Sequence, residues 1–163
     1  MIDERAFVLE VASMRDMLYR LSVSYLRSDA DAQDAVQQAL ENAWRHRDRV
    51  DEAGFRPWLV RIVINECKSA LRRRKKLFFT ERMEKVAVRT PPPDLALADA
   101  LERMPEKLRT PLLLHHMEGF SLEEIAAATG VPRTTVASRL FRARRVLREA
   151  LGEEDGSVCD AGR

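Results

Sequence analysis

A chain of 163 residues with 45% hydrophobic content can bury one ordinary core or two small ones. Two cysteines exclude a disulfide framework, and no apolar run approaches the roughly 18 residues a membrane span requires. The net charge of +2 hides a partition: segments 1–54, 55–90, 91–128, 129–151 and 152–163 carry −4, +8, −4, +5 and −3, which predicts two separate contacts with a polyanion and acidic surfaces left over.

The N-terminus MIDERAF lacks an apolar signal core, so the sequence reads as soluble and cytoplasmic, without membrane insertion. Residues 4 to 26 place Phe7, Val8, Val11, Met14, Leu18, Leu21, Val23 and Leu26 at helical spacing, which predicts a core-forming helix. After a turn cluster at Ser28 to Asp31, a second helix from Ala32 to about Arg47 turns Ala35, Val36, Ala39, Leu40, Ala43 and Trp44 inward. Its other face shows Gln33, Asp34, Gln37, Gln38, Glu41 and Asn42; composition alone reads this as solvated surface, with a partner surface as the alternative.

Asp48 to Gly54 reads as a polar loop. A third helix from Phe55 to Lys76, with Pro57 in its first turn, buries Trp58, Leu59, Ile62, Val63, Cys67, Ala70 and Leu71. Arg61, Asn65, Lys68 and Arg72 recur at i, i+4, i+7 and i+11 and so fall on one outer stripe, ending in the run Arg72 to Lys76. Such a stripe can follow a phosphate backbone while the Asn reads a base edge. Cations at a helix C-terminus account for the run but not for the stripe.

Periodicity fades between Leu77 and Pro93, and TPPP at Thr90 to Pro93 cannot be crossed by a helix, so residues 77–94 are predicted to be a flexible linker. Asp94 to Met104 is again helical, Pro105 starts the next element, and Pro111 is expected to kink it or to begin a new helix capped by Thr110. Ser121 with Glu124 forms a capping box ahead of Leu122, Ile125 and Ala126. Gly130 supplies a left-handed position and Pro132 suits the first turn of another helix, which turns Val136, Leu140, Ala143 and Leu147 inward. Two helices joined by a tight Gly-containing turn, the second one basic, form a helix-turn-helix able to enter the major groove. The acidic tail from Gly152 to Arg163 is aperiodic.

With no β pattern anywhere, the predicted fold is all-α: two small helical domains joined by a flexible linker. No Gly-rich phosphate loop or nucleophile–base pair is present, so no catalytic, cofactor-binding or metal-binding residue is assigned. Adjacent His115 and His116 would point about 100° apart on a helix and cannot hold a metal together as an i, i+4 pair would. Cys67 reads as a packing residue on a buried face, and Cys159 as a lone thiol with nothing nearby to activate it.

The segments DAQDAVQQALENAW, FRPWLVRIVIN with LRRRKK, and LERMPEKLRTPLLLHHMEGFSLEEIAAATGVPRTTVASRLFRARRVLREAL resemble regions 2 and 4 of the extracytoplasmic-function (ECF, group IV) sigma factors of the sigma-70 family. The likeness covers roughly residues 5 to 151 in the right order and divides the chain into region 2 at 1–76, a linker at 77–94, region 4 at 95–151 and an acidic tail at 152–163. It implies a factor with no reaction of its own that directs RNA polymerase to promoters. Asp34, Gln37 and Glu41 would contact the clamp helices of the polymerase β′ subunit. Arg61, Asn65, Lys68 and Arg72 would bind the minus-10 element, with Asn65 and the loop Asp48 to Gly54 receiving a flipped base. Arg133, Thr134, Thr135, Ser138, Arg139 and Arg142 would face the minus-35 duplex, with region 4 resting on the β flap. An anti-sigma factor is a further expected partner. Relative to the family pattern, Gln33 and Gln38 stand where Glu is frequent, Leu40 where an aromatic is, Thr134 where Gly is and Ala137 where a basic residue is. A stand-alone helix-turn-helix regulator, or a sigma mimic that sequesters an anti-sigma factor, are the alternatives; the first would leave the basic stripe without purpose, and the second would not need the arginines at 133 to 142.

Overall fold

The computed structural model describes residues 1–78 and 95–152. Among them the chain forms seven α-helices: α1 (Glu4–Leu26), α2 (Asp29–Arg45), α3 (Glu52–Phe78), α4 (Leu95–Arg103), α5 (Glu106–His116), α6 (Leu122–Thr129) and α7 (Arg133–Ala150), with a 3₁₀ turn at Arg47–Arg49. The predicted all-α architecture is the one observed. The TPPP segment, most of the predicted linker, the tail beyond Gly152 and Cys159 lie outside the described residues.

Several boundaries move, each for a local reason. α2 begins at Asp29 rather than Ala32 because the Ser28 hydroxyl accepts the Asp31 N–H at 3.3 Å. α3 begins at Glu52 because the Asp51 carboxylate accepts the Gly54 N–H at 2.9 Å; only Val50 and Asp51 are left between the 3₁₀ turn and the helix, where a longer loop was expected. α3 then runs to Phe78, two residues into the predicted linker. Thr110 caps nothing: α5 continues through Pro111, whose missing N–H costs one intrahelical bond while its ring is buried. In α1, Val8 is exposed, and the inward positions missed in the sequence are Met17, Ser22 and Tyr25.

α1, α2 and α3 pack on one another. The inward row of α2 is Ala32, Ala35, Ala39 and Ala43, all buried, and these small residues let the helix lie close to its neighbours. At one end Phe7 meets Trp44 and Phe55 edge to face, with centroids 5.1 and 5.3 Å apart. In the second half α4, α5 and α6 pack on α7 around Leu112, Leu114, Phe120, Ile125, Val136, Leu140 and Ala143. Arg109 is 7% exposed; its Nη1 donates to the Leu101 and Met104 carbonyls at 3.5 and 3.3 Å, supplying donors to the C-terminal end of α4, while its Nε has no partner.

The two halves are not held apart. α3 also packs against α6, and one continuous hydrophobic core runs through both halves. The cause is a second apolar strip on α3: Pro57, Val60 and Ile64 are buried although they lie beside the basic stripe. Ile64 faces Thr110, Pro111, Thr129 and Val131 of the second half.

The capping box at Ser121 is formed in both directions, with bonds of 2.9 and 3.1 Å. Ser121→Ala is expected to destabilise the protein by about 1 kcal/mol, read as a lower urea midpoint at unchanged slope. Arg144 Nε donates to His116 Nε2 at 3.0 Å, a bond that needs a neutral imidazole. Partial burial, then the nearby Arg144 and His115, lower the His116 pKa. A folded-state pKa below the unfolded one makes this contribution complete above the ordinary His range and lost as pH falls through the folded value. Between pH 7.5 and 5.5 the wild type should therefore lose more urea resistance than His116→Gln.

Candidate DNA and polymerase interfaces

On α3 all four stripe residues, Arg61, Asn65, Lys68 and Arg72, reach the surface. Their surroundings differ. Asn65 is open, Arg72 donates to the Ser69 hydroxyl at 3.0 Å, and Lys68 Nζ sits 3.9 Å from Glu106 in the second half. Arg61 lies against Gly130, where an added Cβ would meet its Nη2 at 3.7 Å. The basic stripe is thus formed as expected, but two of its four members face the other half of the chain. Farther along, Arg74 pairs with Asp31 and donates to the Leu26 carbonyl at 3.0 Å, so it ties α3 to the α1–α2 turn instead of extending the stripe.

The segment that leads into α3 is held firmly. Ile2 N–H donates to the Val50 carbonyl at 2.9 Å, and the Arg47 guanidinium lies 4.0 Å from the centroid of Trp44 while pairing with Glu4 at 3.3 Å. Residues 48–54 are therefore not one open loop but a 3₁₀ turn, two linking residues and the first turn of α3.

On α2 the alanine row faces the core, which leaves Gln33, Asp34, Gln37, Gln38 and Glu41 exposed. Gln37 Nε2 donates to Glu41 at 3.4 Å and Arg45 stands 3.8 Å from the same carboxylate. These exposed pairs fix little energy, and both acids stay available to a partner.

The helix-turn-helix has the predicted geometry: α6, then Gly130 at φ 73°, then α7 from Pro132. Gly is favoured there because that φ strains any L side chain. Thr134, Ser138 and Arg142 are exposed on the outer face of α7. Arg133 is also exposed but bonded to Glu123 of α6 at 2.5 Å; the backbone hydrogen bond at Glu123 and, second to it, that link hold the Glu123 carboxyl below its ordinary pKa. Thr135 and Arg139 are half-buried, and Arg139 lines the cleft between the halves, so the six predicted residues do not share one face. The structure adds Ala137, Phe141 and Arg145 to the outer face. Phe141 is 64% exposed; its departure from the inward spacing of Val136, Leu140 and Ala143 is the signal that could have found it. An exposed ring among arginines suits apolar contact with a base methyl beside phosphate contacts.

Comparison with known proteins places these surfaces in a family. Residues 11–77 match the model for sigma-70 region 2, and residues 94–147 match that for sigma-70 region 4. The RNA polymerase sigma-H factor of Pseudomonas aeruginosa is 32% identical, with 91% of this chain and 88% of that protein covered. The ECF RNA polymerase sigma factor SigM of Mycobacterium tuberculosis is 37% identical over 83% of this chain and 71% of its own length. The chain belongs to the sigma-70 family, as an ECF-type RNA polymerase sigma factor. Among solved structures, the sigma factor RpoE of Bartonella quintana, in complex with the anti-sigma factor NepR, superposes with a TM-score of 0.78 at 27% identity, covering 91% of this chain and 98% of that one. The basic stripe of this sigma factor lies in its region 2 and the helix-turn-helix in its region 4. No helix among the described residues is long and apolar enough to cross a membrane.

Proposed function

We propose that this sigma factor directs promoter-specific initiation by dividing the work among three surfaces. The exposed α2 residues Asp34, Gln37 and Glu41 grip the polymerase β′ clamp helices. Arg61, Lys68 and Arg72 follow the backbone of the minus-10 element, and Asn65 with the segment 48–54 captures a base of the displaced strand. Arg133, Thr134, Thr135, Ser138, Arg139 and Arg142 address the minus-35 duplex, while region 4 rests on the β flap. Domain limits of 1–76 and 95–151, with a linker at 77–94 and a tail at 152–163, follow from this division.

The observation that carries the reading is the pairing, on one chain, of a basic region 2 helix with a basic region 4 recognition helix. A stand-alone regulator has use for the second alone, and a sigma mimic for neither. Capture of an unstacked base traps transient strand opening, because contacts in the pocket offset the unstacking cost. No nucleotide hydrolysis is required, which fits a protein that is not an enzyme. It acts in the cytoplasm, where polymerase and promoter meet, and an anti-sigma factor that covers its polymerase surfaces is the expected inhibitor; that the Bartonella relative forms a complex with an anti-sigma factor supports such a partner.

With core polymerase and genomic DNA fragments, the protein should create start sites absent without it; an unchanged start-site map would refute the reading. Asp34→Lys with Glu41→Lys is expected to weaken core binding at least about tenfold, the scale of one lost charge-assisted contact. Asn65→Ala should leave duplex binding of the holoenzyme intact and reduce permanganate reactivity of the opened strand. Arg142→Ala should lower the slope of log K against log salt for promoter binding by about 1, as expected for one lost phosphate contact.

A further inference from the structure

The start of α1 touches the chain between α2 and α3 at its beginning, middle and end. Ile2, just ahead of the helix, is 1% exposed, and its N–H donates to the Val50 carbonyl at 2.9 Å. The Asp3 carboxylate accepts the Ala6 N–H at 2.7 Å, which fixes the direction in which Ile2 leaves the helix. Glu4 pairs with Arg47 at 3.3 Å, and Arg47 in turn lies over Trp44 and donates to its carbonyl at 2.9 Å. About one turn on, the buried Phe7 ring meets Trp44 ahead of residues 48–54 and Phe55 behind them. Within the segment, Asp51 accepts the Gly54 N–H, and a Cβ added at Gly54 would stand 3.3 Å from that carboxylate, so the turn into α3 is closed tightly. Asp48, Arg49 and Asp51 stay exposed and Val50 is half-buried.

We propose that Ile2, Glu4 and Phe7 are positioning residues for base capture: they hold residues 48–54 in one shape, so that the groups which receive an unstacked base are in place before a strand opens. The inference rests on the base-capture reading of that segment given above. A site that is competent in only a fraction of molecules loses affinity by that fraction, and ordering a loose segment after opening would consume contact energy that has to offset unstacking. The segment cannot order itself, because its Asp51–Gly54 bond closes only the turn into α3, while the Val50 carbonyl is tied from outside by Ile2. The anchors lie on the inner side: Ile2 and Phe7 are buried in the core, and Glu4 reaches only Arg47, which already packs on Trp44. The outer side is left to the strand. An exposed pair such as Glu4 with Arg47 adds little by itself, so burial of Ile2 and Phe7 supplies most of the hold and the ion pair sets the register.

The test uses the full chain bound to core polymerase. The probe is a fluorescent single strand with the non-template minus-10 sequence of a promoter found by start-site mapping, either intact or with each base in turn replaced by an abasic position. The ratio of affinities for the intact strand and the weakest abasic strand reads capture. Ile2→Ala combined with Glu4→Gln should lower that ratio at least about fivefold, because the competent fraction falls, and amides of residues 48–54 should exchange hydrogen faster. Ile2→Val should restore the ratio. Leu18→Ala, a truncation in the core of the same half, serves as control: it should lower the urea midpoint and leave the ratio unchanged. An equal ratio in wild type and the double variant, or an equal fall in Leu18→Ala, would overturn the positioning role. A wild type that binds intact and abasic strands alike would instead sink the base-capture reading, and hydrogen exchange would still decide whether the start of α1 holds the segment.

Discussion

Most of this structure depends on one helix being buried on two sides. α3 carries Phe55, Leu59, Val63 and Cys67 toward α1 and α2, and Pro57, Val60 and Ile64 beside its basic stripe, so neither half alone removes all of its apolar surface from water. Burial of a side chain such as Val or Ile is worth about 1.5–3 kcal/mol. That is enough to hold α6 against α3. The basic stripe is therefore presented on the narrow edge between two buried arcs.

The polar groups at this contact are arranged so that closure leaves few of them unsatisfied. Tyr25 is buried, and burial raises its pKa far above the ordinary phenol value; the adjacent carboxylate acts in the same direction, so the hydroxyl is a permanent donor to Glu106. Thr110 completes the chain on the other side. Cys67 is buried in the same half and its thiol is also pushed up by desolvation, which makes it a packing group and not a reactive one. Arg109 is the exception: its guanidinium serves the carbonyls of Leu101 in α4 and of Met104 just after it, yet one nitrogen remains without a partner and burial lowers its pKa.

Local signals in the sequence were strong where the chain's chemistry is local. Ser121, Glu124, Gly130 and Pro132 fixed the helix-turn-helix to the residue, because capping and left-handed turns depend on near neighbours. The spacing of Arg61, Asn65, Lys68 and Arg72 gave the outer stripe for the same reason. Long-range facts were not legible. Val60 and Ile64 look like spill-over from a wide apolar face until α6 is placed against them, and Arg139 looks equivalent to Ser138 and Arg142 until the cleft exists. Tyr25 stood outside the chosen periodic set because its partners are more than 80 residues away. Pro111 misled because proline usually ends a helix; here tertiary burial outweighs one missing bond.

The row of alanines beneath α2 has an evolutionary consequence. Side chains this small transmit nothing of the outer face to the core, so the glutamines and acids above them can be exchanged without repacking the bundle. On the polymerase-contact reading proposed above, selection can retune how strongly such a factor competes for a shared enzyme by altering a few surface letters, and the scaffold that carries them pays no penalty in foldability.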